Sequence, residues 1–264
     1  MKRLLFAMVI IVALASTSAF AGVVWTEDFE SYTAGGNASS GGWIADSGTV
    51  STYVNTPGVI STDFAKSGVN GWKPGWNTTP KEASRIRKAV SLTAGATKNS
   101  VSAWVYCGAP QAVYRNFIGF QSATSTSVGS DDSLVRMGAY SGYGLVIHYW
   151  TSALQTFALP TTTFAFAGNR WYNLDLTMQQ NGTLWDIIYT VKNADGSVAT
   201  TGTAATYAWD AANANYVVLG NTTGSSAPMY FDDVVVSSVP EPGSLLALAT
   251  GMIGLVGMIL RKRA

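Results

Sequence analysis

The side chains able to do chemistry in this chain are few and dispersed. His148 is the only histidine, and it lies in Leu145-Val-Ile-His-Tyr-Trp150, an apolar run with strand character where a solvated or hydrogen-bonded imidazole is the ordinary outcome. A single imidazole excludes a His-rich metal centre and leaves little for a Ser-His-Asp triad, whose base must itself be aimed by a carboxylate. Carboxylates cluster at Glu27-Asp28-Phe29-Glu30, at Asp131-Asp132 and at Asp232-Asp233. The second pair lies in Gly-Ser-Asp-Asp-Ser and reads first as a turn. Asp232-Asp233 stands between Phe231 and Val234, so burying it demands a compensating partner: a metal ion, an arginine or a backbone N–H. Two indoles, Trp72 and Trp76, sit in Gly71-Trp-Lys-Pro-Gly-Trp76 beside Asn70 and Asn77. Exposed, such rings stack on the apolar C–H faces of sugars while the amides fix orientation; buried, they are core. Cys107 is the only cysteine, so no intramolecular disulfide exists, and at the end of the strand-like run 101–107 it reads as a small core residue.

Those residues must be positioned by β-structure. Thr, Ser, Gly, Ala, Val and aromatics dominate the middle of the chain, and no stretch keeps a helical period. Strands are predicted at residues 23–30, 49–55, 84–92, 99–107, 113–121, 133–139, 143–150, 171–179, 183–192, 197–202, 216–220 and 229–237, separated by Gly, Ser, Asn and Thr clusters as in a sandwich. The clearest unit is a three-stranded meander over 171–202, turned by Asn181-Gly182, which supplies the φ > 0 of a type I′ hairpin, and by Asp195-Gly196. Alternation puts Tyr172, Leu174, Leu176 and Met178 on one face, and likewise Trp185, Ile187, Tyr189 and Val191. Residues 33–48 and 66–82 read as long loops, the places where a binding site would sit.

Both ends carry a different kind of information. Lys2-Arg3, an apolar stretch over 4–15 and Ala19-Phe20-Ala21 form a signal peptide, residues 1–21, with signal peptidase as the partner and Gly22 as the first mature residue. At the other end Pro240-Glu241-Pro242 precedes an uncharged apolar run, 243–260, and then Arg261-Lys262-Arg263. Eighteen apolar residues are about the minimum for one membrane span, and the basic cluster stops translocation, so the preceding chain faces outward. The two prolines forbid a continuous helix into the span and predict an extended, exposed hinge. Between the signals, residues 22–238 have the length of one large all-β domain. Eleven Lys and Arg face fourteen acids in that domain, a net charge near −3 with no basic stripe for nucleic acid.

Pro-Glu-Pro, a short apolar helix and a terminal basic cluster, in that order at the extreme C-terminus, resemble the PEP-CTERM sorting signal, here residues 239–264. The resemblance implies recognition by an exosortase-type membrane protease and removal of the tail. A membrane-anchored precursor then becomes a protein of the cell surface or exopolysaccharide matrix of a Gram-negative bacterium. A permanent single-pass anchor is the plainer alternative; both place the middle domain outside the cytoplasmic membrane.

The opening Glu27-Asp-Phe-Glu-Ser-Tyr-Thr-Ala-Gly35 and closing Tyr230-Phe-Asp-Asp-Val-Val-Val236 resemble the first and last strands of concanavalin-like and carbohydrate-binding β-jelly-roll modules. The resemblance implies a two-sheet antiparallel sandwich whose terminal strands lie side by side. It also implies that Asp28, Glu30 and Asp232 or Asp233 meet on one flank and hold a structural calcium ion, a hard cation that wants about 6–8 oxygens. Concanavalin-like glucanases carry Glu-x-Asp-x-x-Glu on one strand; Glu27-Asp28-Phe29-Glu30 departs from that spacing. The reading is therefore an exported, non-enzymatic β-sandwich that binds polysaccharide, with Trp72 and Trp76 as its platform. Its rivals are a purely structural matrix protein, glycosylated at Asn77-Thr78-Thr79 or Asn221-Thr222-Thr223, and a glycoside hydrolase.

Overall fold

The computed structural model describes residues 22–45, 49–50, 53–55, 57–75, 81–108, 115–122, 134–140, 142–160, 162–221 and 228–240. The predicted signal peptide, apolar run and basic cluster lie outside them, as do Trp76, Asn77, Asp131, Asp132, Glu241 and Pro242. The described strands begin with β1 (Gly22–Glu27), β2 (Trp43–Ala45), β3 (Thr49–Val50), β4 (Tyr53–Asn55), β5 (Val59–Ser61), β6 (Gly71–Lys73), β7 (Lys81–Ala83), β8 (Arg85–Ala89) and β9 (Ala96–Cys107). They continue with β10 (Arg115–Gln121), β11 (Val135–Tyr140), β12 (Gly144–Trp150), β13 (Leu154–Leu159), β14 (Arg170–Asn181), β15 (Leu184–Asn193), β16 (Val198–Tyr207), β17 (Tyr216–Asn221) and β18 (Tyr230–Pro240).

Two antiparallel sheets face each other. One runs β16-β15-β14-β9-β18-β6-β5, with β1 also paired to β18; the other runs β13-β12-β11-β10-β17-β8-β2. The small β3-β4-β7 sheet lies apart and contains the parallel pair β4–β7. Alternation makes the core: Val101, Ala103, Val105 and Cys107 of β9 and Leu174, Leu176 and Met178 of β14 are fully buried on one side. Ile118 and Phe120 of β10 and Val135, Met137 and Ala139 of β11 are fully buried on the other, in the same cluster. Each large apolar side chain so buried contributes roughly 1.5–3 kcal/mol. Burial pushes the Cys107 thiol up to about 12, so it is an inert core group, as its position in the strand predicts.

The terminal strands do lie side by side, Gly22 opposite Ser238 and Glu27 opposite Val234. The meander is present with different turns. Asn181 pairs with Leu184, so the two-residue loop is Gly182-Thr183, and positive φ falls on Gly182 (63°), the first central position, not on Asn181. Asp195-Gly196 belongs to a three-residue loop, with Asn193 N donating to Ser197 O (2.8 Å) and Gly196 at φ 86°. The predicted loops 33–48 and 66–82 contain β2 and β6, three residues each, and edge strand β13 was not foreseen. Such short or half-exposed strands carry too few alternations to be visible in a sequence. The sandwich also outruns its predicted end. β18 continues to Pro240, which is half-buried and pairs with Ala96, so the first proline of the sorting signal closes the sheet and is no exposed hinge.

Candidate functional site

The last strand bends where the acids lie. On β18 the register against β9 jumps between Asp232, opposite Trp104, and Val235, opposite Ser102, and Asp233 takes a left-handed φ of 47°. The bulge sends the fully buried Asp232 carboxylate toward the segment before β6. Its Oδ2 accepts from Lys66 N (2.7 Å) and Ser67 N (3.0 Å), and its Oδ1 from Asp233 N (2.8 Å). Glu30 grips the same segment from the first strand's side, its Oε1 accepting from Val69 N (2.9 Å) and Asn70 N (2.7 Å). Between these pairs Gly68 turns at φ 60°, and a Cβ there would stand 2.3 Å from a Glu30 oxygen. Asp233 Oδ1 adds a bond from Ser67 Oγ (2.7 Å). Two carboxylates thus compensate four consecutive-region amides, an anion-in-nest arrangement with no cation required.

Backbone N–H groups already serve part of the predicted ligand set: both Asp232 oxygens and Glu30 Oε1 accept from them, while exposed Asp28 turns its Oδ1 to Glu30 N (3.1 Å). Among the described residues no three His, Cys, Asp or Glu side chains converge to hold a metal. The terminal acids do gather on one flank, but what they bind is the backbone of residues 66–70. Burial pushes the Asp232 carboxyl up to about 6, against the N–H bonds, which pull the other way.

A fifth acid, seen in the sequence but given no role there, is Glu27. Glu27, buried at the end of β1, accepts from Tyr32 Oη (2.7 Å) and Trp43 Nε1 (3.0 Å) at Oε2 and from Phe29 N (3.1 Å) at Oε1. It pins the 28–43 connection to the first strand. The signal was available: in period-2 alternation Glu27 shares a face with Trp25, an acid on the inward side.

Of the two predicted platform rings, Trp72 alone is among the described residues. Trp72 is fully buried on β6, its Nε1 donating to Pro57 O (3.2 Å) and its ring 5.3 Å from Phe231, so it is core. Asn70, also buried, spends its amide on Tyr32 O (3.3 Å). His148 is half-buried, and Arg136 Nε donates to its Nδ1 (3.1 Å). Burial, aided by the Arg136 charge, pushes this imidazole down to about 4. A neutral ring whose Nδ1 already accepts carries its proton on Nε2, the wrong tautomer for a base directed outward from that atom. Asn221 is buried, accepting from Ser84 N (2.5 Å) and donating to Gly75 O (2.9 Å), which removes it as a glycosylation acceptor.

A concavity instead opens at the Pro240 end of the sandwich. Its volume is about 890 Å³, within the usual range of small-ligand sites. One wall is the connection 89–96 between β8 and β9; the other is the segment 211–216 leading into β17. Val90 N donates to Asn215 O (2.9 Å), tying the walls together, and Thr93 N donates to Ser238 Oγ (3.0 Å), which itself donates to Asn99 Oδ1 (2.7 Å). Trp185, edge-on to Trp209 at 5.1 Å, and Tyr216, backed by the Arg87 guanidinium at 5.3 Å, supply aromatic surface. Exposed Gln180 and Asn215 bring amides, and none of the lining residues is ionisable apart from the Tyr216 phenol. A second depression of about 530 Å³ at the opposite end is different in kind, with Arg170, Trp171 and Asp195 on its rim.

With this architecture in place, likenesses to known proteins fall on two separate parts of the chain. The class is an all-β, two-sheet antiparallel sandwich carrying a C-terminal address. The address is specific: residues 238–263 match the PEP-CTERM protein-sorting motif, which implies an exported, surface-sorted protein processed by an exosortase. No curated protein matches the chain in sequence. Among solved structures, the conserved carbohydrate esterase of Shiga toxin-encoding bacteriophage phi24B is similar at TM-score 0.53 and 17% identity, covering 84% of this chain and 100% of the esterase. The CBM2 module of the evolved Dit of Lactobacillus casei BL23 phage J-1 is similar at TM-score 0.52 and 10% identity, covering 83% of this chain and 96% of the module. Lectin II from Ulex europaeus is similar at TM-score 0.47 and 9% identity, over 83% of this chain and 100% of the lectin. At these identities the first two likenesses establish the fold.

Proposed function

We propose that the chain is a non-enzymatic glycan-binding module, exported and released by exosortase processing to the cell surface or the exopolysaccharide matrix. The observation that carries the binding is the preformed cleft between 89–96 and 211–216, large enough for a small ligand and walled by hydroxyls, amides and aromatic rings. The esterase and CBM2 module that share the sandwich are both named for carbohydrate, which supports the same reading. His148 supports a non-catalytic role, since Arg136 holds its Nδ1 and burial keeps it neutral.

A structural surface protein without a ligand site is the second reading, and the burial of Trp72 favours it by removing one of the two rings expected to stack on sugar. Binding of the detergent-solubilised full chain to a panel of immobilised polysaccharides separates the two. Saturable retention on at least one polysaccharide is expected; retention on none of them by a folded chain leaves the structural reading standing.

A further inference from the structure

We infer that the Pro240-end cleft takes an uncharged saccharide, a chain segment presenting hydroxyl or acetamido groups and no carboxylate, sulfate or phosphate. The inference rests on the glycan-binding reading and narrows it to one site and one ligand class.

The argument is the chemistry of the wall. Fifteen residues line the cleft, and they contribute methyl groups, hydroxyls, carboxamides, backbone and two aromatic rings, with no Lys, Arg, His, Asp or Glu among them. An anionic sugar seated there would shed part of its hydration with no cation to replace it, an arrangement proteins avoid because an unpaired buried charge is far costlier than a paired one. The Arg87 guanidinium lies 5.3 Å from the Tyr216 ring centroid and stacks on that ring. Lys98 belongs to the opposite face of β9 from cleft-lining Asn99, by the alternation of the strand.

An uncharged saccharide matches every element of this wall. Each sugar hydroxyl both donates and accepts, and so does each carboxamide of Gln180 and Asn215, so either orientation of a hydroxyl finds a complement. Gln180 Nε2 already donates to Gly182 O (3.1 Å), which leaves its carbonyl oxygen as an acceptor held in a fixed direction. The sugar's C–H faces meet the half-buried Tyr216 ring, Trp185 being 9% exposed and mostly core. A purely apolar ligand would strand those amides, and a charged one would lack a counter-ion.

The test uses the full chain in a zwitterionic detergent without a sugar headgroup, and two wall variants at exposed positions, Ala212→Trp and Asn215→Asp. The first fills the cleft and the second puts a charge in it. The probes are dextran, galactomannan and cello-oligosaccharides on the neutral side, alginate and hyaluronan on the anionic side, read by affinity electrophoresis and calorimetry, with melting temperature recorded for each variant. The expected result is binding to at least one neutral probe, weakened tenfold or more in both variants at unchanged melting temperature, and no comparable binding to the anionic probes. Binding to alginate or hyaluronan as tight as to any neutral probe, or neutral binding undiminished in both variants, overturns the inference while leaving a glycan-binding protein. Binding to nothing refutes the broader reading itself. Should Ala212→Trp fail to fold, Asn215→Asp decides alone.

Discussion

Replacing Glu27 by Gln tests whether one buried carboxylate organises residues 22–43. The wild-type carboxylate takes three donors, from Tyr32 Oη, Trp43 Nε1 and Phe29 N, at 2.7, 3.0 and 3.1 Å. A Gln side chain of the same shape has one acceptor oxygen, so its NH₂ must face at least one of those donors. Hydrogen bonds to a charged group are worth about 1.5–3 kcal/mol, and a buried donor left unpaired costs about 1–3 kcal/mol. Both side-chain donors are buried, Tyr32 at 8% and Trp43 at 3% exposure, so neither finds a ready substitute in water. Taking roughly two such losses gives about 3–6 kcal/mol, and at about 2–4 °C per kcal/mol for a domain of this size the melting temperature falls by roughly 6–24 °C. A second readout is specific to the site. Burial first, then the bond to Glu27, hold the Tyr32 hydroxyl above the ordinary tyrosine range, so in alkaline titration followed by phenolate absorbance one tyrosine should move down in Glu27→Gln. In the Tyr32→Phe background the same substitution should cost at least about 1 kcal/mol less. A loss below about 1 kcal/mol with an unchanged tyrosine titration would show that the carboxylate organises nothing.

Three further outcomes follow from the same contacts. Because burial raises the folded-state pKa of Asp232 to about 6 from its ordinary 3.8, its proton is held more tightly in the folded chain, and its contribution to stability is full below about 4 and lost as pH rises through 6; urea midpoints at pH 4.5 and 7.5 should show this slope in the native chain and lose it in Asp232→Asn. Gly68→Ala places a Cβ 2.3 Å from a Glu30 oxygen at φ 60°, so differential scanning calorimetry should record a loss of about 1–3 kcal/mol. Trp72→Ala should cost about 3–5 kcal/mol as a core truncation, measured by chemical denaturation, and any change in glycan binding in that variant should track the unfolded fraction.

The parts of this protein legible in its sequence are those whose determinants are contiguous. Pro240 to Arg263 is one uninterrupted stretch, and long alternating strands such as β9, β14 and β15 announce both their type and their inward face. Pairing of the terminal strands was implied by their resemblance to jelly-roll modules, and Glu30 and Asp232 do meet at residues 66–70, but the choice among metal, arginine and backbone N–H stayed open because backbone N–H groups have no signature in a sequence. Trp72 misled for a related reason: in a Gly/Pro-rich stretch an indole looks exposed, whereas a three-residue strand laid against Phe231 buries it completely. The cleft was invisible because its walls, 89–96 and 211–216, are far apart in the chain and consist of residues with no motif.

The extension of β18 to Pro240 has a mechanical meaning. Only Glu241 and Pro242 stand between the sheet and Gly243, where the apolar run begins, so the tether is at most roughly 7 Å long. Tension on an anchored tail therefore enters the molecule at the end of a strand eleven residues long, paired to β9 along one edge and to β1 along the other. Pulled along its own axis, such a strand loads its hydrogen bonds in parallel, as rivets in a lap joint, and does not peel them one at a time.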